Sequence, residues 1–209
     1  RRVLFRSVAI LTGHTQDVKS VTWHPRKEIV FSTSYDDTIR VWKSRIELDD
    51  EWHCVDVLKT HDSTVWDLSF QHGTSSPSER FVTCSDDRSI IIWGPTSSSS
   101  SSCSSSKDED ETKYQVEMRV NNLHDRTIYT VDWYDHLVAS GGGDNGIRIV
   151  DTSSSSSSSP SSKTDDNDNT TSNIVWKHDK AHKGDVNCVR WSPDGKFLAS
   201  CGDDGVLNI

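Results

Sequence analysis

The sequence predicts an all-β chain built from four repeated units, the first three of them four-stranded and the last incomplete. Three observations carry this reading. Four segments align with one another, LTGHTQDVKSVTWHP at 11–25, LKTHDSTVWDLSF at 58–70, NNLHDRTIYTVDW at 121–133 and DKAHKGDVNCVRWSP at 179–193. Self-similarity of this kind marks a repeat architecture. Each segment is followed by short apolar runs rich in β-branched residues and broken by turn chemistry such as Ser192-Pro193-Asp194-Gly195, which is the pattern of strands joined by hairpins. Helical periodicity is absent.

Taken in order, the stretch after each histidine reads as a first strand and the apolar run before an acidic turn as a second. The run after the turn is the third strand, and a tail such as HCVDVLK or YQVEMRV supplies the fourth. The turns are Tyr35-Asp36-Asp37, Asp86-Asp87-Arg88, Gly143-Asp144-Asn145 and Asp203-Asp204-Gly205. The first strands place apolar residues at Val18, Val21 and Trp23, at Val65, Leu68 and Phe70, at Ile128, Val131 and Trp133, and at Val186, Val189 and Trp191. A gap of three followed by a gap of two does not fit a regular strand, so a β-bulge is predicted near the start of each. Such a bulge would aim Lys19, Trp66, Tyr129 and Asn187 outward, with Tyr35 and Asp86 beside them on the turns. Core packing is the plain alternative for Trp66 and Tyr129, but a core would not accept the equivalent Lys19 and Asn187. This set is therefore the candidate partner-binding face.

The tails between units carry the extra length. Residues 96–106 and 153–162 are almost pure serine, and each run leads into an acidic stretch. Composition of that kind cannot offset the entropy of ordering, so both are expected to be flexible loops. Five cysteines, at 54, 84, 103, 188 and 201, show no C-x-x-C spacing and are expected to be buried, reduced thiols in a reducing compartment. No apolar run approaches the roughly 18 residues of a membrane span. The start RRVLFRS has arginines inside its apolar stretch and does not read as a secretory signal; with no initiator Met, the natural start is expected upstream. The net charge of −9 argues against phosphate-backbone binding, and most of it falls in Asp49–Glu51, Lys107–Thr112 and Lys163–Asp168.

One polar set recurs through all of this. His14, His61, His124 and His182 open the units, and the turn aspartates Asp36, Asp87, Asp144 and Asp204 close their second strands. Four residues before each aspartate stands a hydroxyl, Ser32, Thr83, Ser140 or Ser200; six residues after it stand Trp42, Trp93 and Val150. In the last unit the sixth position would be 210, so that unit reads as cut within its third strand. Histidine, hydroxyl and carboxylate together resemble a hydrolase triad, but an active site is built once and this set is built four times. Repetition favours a structural role in which every buried polar group is satisfied. A hydrolase using His61 or His124 would also need a nucleophile elbow such as G-x-S-x-G, and none is present.

At these residues a family can be named. Gly13-His14, the S-x-D-x-T string Ser34–Thr38 and the closing Trp42 resemble the WD40 repeat, whose four-stranded blades wrap a channel as a β-propeller. Thr60, Leu123 and Ala181 stand where the repeat has glycine before histidine, and Val150 stands for tryptophan, so the third blade is expected to have a weaker polar network. The resemblance implies a WD40 β-propeller fragment: about three complete four-stranded blades plus a partial fourth, of a parent with about seven. Residues 1–11 are expected to be non-native or the outer strand of a preceding blade, around Val8–Leu11. Blades follow at 12–62, at 63–125 with an insert at 95–113, at 126–181 with an insert at 152–172, and, truncated, at 182–209. Such an arc would leave two sheet edges unpaired and is expected to be unstable by itself.

HTQDVKSVTWHP, SYDDTIRVW, DDEWHCVDVL, HDSTVWDLSF, CSDDR, HDRTIYTVDW and HKGDVNCVRWSP include several strings, notably DDEWHCVDVL and HDRTIYTVDW, that are more particular than the generic repeat demands. They resemble the C-terminal blades of the WD40 subunit of the cytosolic iron–sulfur protein assembly machinery. That resemblance implies a non-catalytic adaptor that helps deliver clusters to cytosolic and nuclear apoproteins and holds none itself. The partners it implies are a small acidic-loop adaptor, a HEAT-repeat scaffold, an iron-only-hydrogenase-like cluster carrier and the clients. It implies a location in the cytoplasm extending to the nucleus, no cofactor or metal, and no nucleic acid, membrane or small-molecule substrate. A WD40 adaptor of another pathway, such as a ubiquitin-ligase substrate receptor or a G-protein-β-like scaffold, is the alternative.

Overall fold

The computed structural model describes residues 9–45, 51–73, 78–96, 113–153 and 173–209. Residues 97–106 and 154–162 of the serine runs, with Cys103, and Val8 lie outside them. Four antiparallel sheets follow one another along the chain. The first contains β1 (Val18–Trp23), β2 (Ile29–Ser34), β3 (Ile39–Arg45) and β4 (Glu51–Leu58). The second contains β5 (Val65–Phe70), β6 (Phe81–Ser85), β7 (Ile90–Pro95) and β8 (Tyr114–Val120). The third contains β9 (Ile128–Tyr134), β10 (Leu137–Gly142), β11 (Ile147–Asp151) and β12 (Ile174–His178). The fourth contains β13 (Val186–Trp191), β14 (Leu198–Gly202) and β15 (Leu207–Asn208). Strand order equals chain order in every sheet, so each sheet is a meander, and the sheets stand side by side as the blades of a propeller.

The core lies between blades rather than within one. Phe31 of the first blade meets Phe70, Phe81 and Tyr114 of the second with ring centroids 5.1 to 5.4 Å apart, a spacing at which edge-to-face rings attract beyond their burial. Val82, Ile90 and Ile92 of the second blade pack against Ile128, Val131 and Trp133 of the third. Ala139 and Ile147 of the third meet Val186 and Val189 of the fourth. A Cβ on Gly141 would lie 2.5 Å from Val186, so only glycine lets β10 approach the next blade this closely. Because interior strands are covered on both faces, β2 and β6 are buried along their whole length. This is why they hold only apolar and small hydroxyl or thiol side chains, with no alternation of apolar and charged residues. At the two ends of the arc one face is uncovered, and Val21, Trp23, Phe197 and Leu207 are exposed there.

The register places the irregularities in equivalent positions. In the inner strands it shifts between Val18 and Ser20, Val65 and Asp67, Ile128 and Thr130, and Val186 and Cys188. The residues skipped are Lys19, Trp66, Tyr129 and Asn187. Outer strands carry a second set of shifts, which skip Val55, Glu117 and Val175. The acidic turns share one backbone device: Asp37, Arg88, Asn145 and Gly205 all take positive φ, between 65° and 71°.

Ala9–Leu11 lie outside the strands of the four described sheets. One expectation needs correction. Of the described cysteines only Cys84 is buried, while Cys54, Cys188 and Cys201 are half-buried. Cys188 and Cys201 face each other across β13 and β14, on the last blade.

Candidate functional site

The repeated polar set sits where an inner strand enters its blade beside the acidic turn. In the first blade the His14 Nδ1 is 2.8 Å from Asp36 and its Nε2 is 2.7 Å from the Ser32 hydroxyl, which receives the Trp42 indole N–H at 2.8 Å. In the second, His61 is 2.9 Å from Asp87 and 2.8 Å from Thr83, and the Trp93 N–H donates to Thr83 at 3.0 Å. An indole can only donate. The hydroxyl must therefore pass its own proton to Nε2, which leaves the imidazole N–H at Nδ1, facing the carboxylate. The relay runs in one direction and leaves no partner unmet.

The third and fourth blades are shorter versions. His124 reaches Asp144 at 2.8 Å and Ser140 at 2.9 Å, but the buried Val150 offers no N–H. In its place, at the carboxylate end, Arg148 lies 3.4 Å from Asp144 and 2.8 Å from Asp179. His182 reaches Asp204 at 3.0 Å and Ser200 at 2.9 Å, with the Asn208 amide 3.3 Å from Nε2. Burial opposes ionisation of Asp36, Asp87 and Asp144. Hydrogen bonds from the histidines, from Thr38 or Ser89, and from backbone N–H groups outweigh it and hold all three carboxyls well below the usual range. The Lys183 N–H and His182 hold Asp204 at about 2.

The bulged residues meet at the mouth of the channel, on the same end as these turns. Tyr35, Trp66 and Tyr129 form an edge-to-face series across three blades, with centroids 5.3 and 5.0 Å apart. The Lys19 ammonium lies 4.0 Å from the Tyr35 ring centre and 5.3 Å from that of Trp66. Asn187 and Asp86 are exposed, whereas Lys19, Tyr35, Trp66 and Tyr129 are half-buried. Trp66 also leans on the apolar cluster between the second and third blades. Among the described residues no group of three His, Cys, Asp or Glu side chains is placed to hold a metal ion, and no helix is long and apolar enough to cross a membrane.

Below this rim lies a network that sequence reasoning missed. Asp67, buried on β5, accepts from Ser20 of the first blade at 3.2 Å and from the Thr130 hydroxyl of the third at 3.2 Å. It also faces Arg190 of the fourth at 3.4 Å. One carboxylate thus ties four blades together. Asp132 does similar work lower down, accepting from the Ser69 hydroxyl at 2.9 Å and from the Trp191 backbone N–H at 2.7 Å. The available signal was a carboxylate inside an otherwise apolar strand, VWDLSF and IYTVDW.

Radial four-stranded blades, pinned at one end by a repeated Asp–His–hydroxyl relay, define the β-propeller class. The family model described as "WD domain, G-beta repeat" matches residues 5–43, 52–94 and 175–209, and the chain belongs to this WD40 family. The unmatched stretch contains the third blade, where Val150 replaces tryptophan. The chain is 35% identical to the probable cytosolic iron–sulfur protein assembly protein 1 of Vanderwaltozyma polyspora, over 97% of this chain and 65% of that protein. It is 33% identical to a probable cytosolic iron–sulfur protein assembly protein of Ixodes scapularis, over 68% of this chain and 39% of that one. The chain thus spans between 39% and 65% of the length of these relatives. Among solved structures it resembles the WD40 β-propeller domain of Doa1, with a TM-score of 0.62 at 22% identity over 94% of this chain and 50% of that one, a likeness of fold.

Proposed function

We propose that the chain is part of a non-catalytic protein-interaction scaffold in cytosolic iron–sulfur protein assembly, helping deliver clusters to cytosolic and nuclear apoproteins. The observation that carries this reading is the similarity, over nearly the whole chain, to proteins named for that process. The geometry supports the adaptor part. Although aspartate, histidine and hydroxyl stand in the order of a hydrolase triad, Thr83 and Ser140 are fully buried, and Thr83 is already engaged by an indole N–H. No carbonyl carbon could reach them. The relays join strands of a blade, and recognition falls to the rim formed by Lys19, Tyr35, Trp66, Asp86, Tyr129 and Asn187. Two linked aromatics with a cation at the centre of a rigid surface are the composition of a binding hot spot.

The test is affinity purification of the tagged protein beside Trp66→Ala and Tyr129→Ala variants. Wild type is expected to recover iron–sulfur assembly factors, and the variants to lose them by tenfold or more while keeping the β-sheet circular dichroism of the wild type. Recovery of ubiquitin-ligase subunits without assembly factors would overturn the reading.

A further inference from the structure

Charges around the channel mouth are unequally matched. Its three cations already have partners: Lys19 lies 3.6 Å from Asp17, Arg190 lies 3.4 Å from Asp67 while donating to backbone carbonyls at 2.7 and 3.2 Å, and Arg126 donates to the Gly143 carbonyl at 2.8 Å. The carboxylates do not fare so well. Asp86 accepts from the hydroxyls of Ser63 and Thr127, and Asp203 from the Asn187 amide. Asp185 has the Tyr129 phenol beside it and no cation nearer than Arg126 at 3.9 Å. Burial first, and then the Asp185 carboxylate, pushes the Tyr129 phenol above its ordinary value.

Asp185 and Asp203 share a cavity of about 540 Å³ with Trp66, Tyr129, Asn187 and Lys19, and with the paired Asp67 and Arg190 on its floor. That volume falls in the range of ~300–1,000 Å³ usual for binding pockets. The aromatic series on one wall already carries a cation, since the Lys19 ammonium lies over Tyr35 and Trp66. The Tyr129 end of the series lies nearer the unmatched carboxylates and has no cation over it among the described residues.

We propose that this cavity receives an arginine side chain from a protein partner, its guanidinium stacked at the Tyr129 end of the aromatic series with Asp185 and Asp203 as counter-charges. A planar guanidinium can stack on a ring and donate in its own plane to two carboxylates at once, which an ammonium cannot. An acidic segment would meet Asp86, Asp185 and Asp203 as like charges. The proposal rests on the rim being the partner-binding face and names what that face takes.

The experiment titrates the full chain with the peptide Ac-Gly-Gly-Arg-Gly-Gly-NH2 and follows the Trp66 indole N–H signal by NMR, assigned with Trp66→Phe. The same peptide with citrulline, which keeps the shape and removes the charge, and one with glutamate are run beside it. The arginine peptide is expected to shift the signal saturably and the citrulline peptide to bind at least tenfold more weakly. Asp185→Asn and Asp203→Asn should each weaken binding severalfold. Lys19→Met should strengthen it, because a competing cation leaves the wall. Equal binding of citrulline and arginine, or loss of arginine binding in Lys19→Met, would overturn the proposal. A glutamate peptide that binds through Lys19 would refute the arginine assignment yet leave the rim as a partner face. Unchanged partner recovery in Trp66→Ala and Tyr129→Ala would instead remove the reading underneath.

Discussion

At the scale of single residues, the hydroxyl in the middle of each relay is the member whose loss strands the most partners. Ser32 serves both Trp42 and His14, whereas Ser140 serves His124 and has Val150 where the indole would be. An unsatisfied buried group costs about 1–3 kcal/mol. Ser32→Ala is therefore expected to destabilise by about 1 kcal/mol more than Ser140→Ala, read as the difference between their urea-unfolding free energies. The relay aspartates set the acid limit. Their folded pKa values lie below the unfolded value of about 3.9, with Asp204 at about 2, so the folded state binds fewer protons than the unfolded chain. Their stabilisation is complete above about pH 4 and falls as pH drops toward 2. Urea midpoints should be flat from pH 7 to 5 and decline steeply below 4; a midpoint unchanged at pH 3 would contradict this. These residues were legible because polar types recurred at near-constant spacing in apolar surroundings. Asp67 was not, because its cationic partner Arg190 lies 123 positions away and no local pattern links them.

Among the elements, the inner strands show why a broken period can still be informative. The three-then-two gap of apolar residues identified the bulge, since one extra residue keeps both flanking halves facing the same blade interface. Deleting Tyr129 should leave Ile128 and Val131 on that face and merely straighten β9. Deleting Asp132 should instead turn Trp133, which is fully buried, out of the core. Calorimetry is expected to show a cooperative transition for the first deletion and none for the second. The outer-strand shifts at Val55, Glu117 and Val175 were not legible, because those strands are largely exposed on one side and their apolar residues do not mark a face. The cysteines misled for a related reason. Cys188 and Cys201 occupy positions equivalent to Ser20 and Thr33, which are covered by the next blade in the first sheet and uncovered in the fourth.

Across the molecule, stability depends on how blades lean on one another. Asp67 couples all four, so Asp67→Asn should weaken the arc as a whole: it removes the counter-charge of Arg190 and part of the acceptor set for Ser20 and Thr130. A loss of about 2–3 kcal/mol is expected, in the range for hydrogen bonds to charged groups, with one unfolding transition retained. Asp17→Asn, at an exposed carboxylate, should cost under about 1 kcal/mol. The blade architecture was legible from the repeats alone. The inter-blade wiring was not, because it depends on which side chains of successive inner strands come level, and that is fixed by the packing of whole sheets.

The links that vary in length join β7 to β8 and β11 to β12, and they attach at Pro95 and Tyr114, and at Asp151 and Ile174. These points lie at the far end of each blade from the acidic turns. A fluorescent protein or proximity-labelling enzyme spliced into either link would attach at the end of the arc opposite Trp66 and Tyr129. Such a fusion offers a way to report on visitors to the upper surface in living cells without standing in their path.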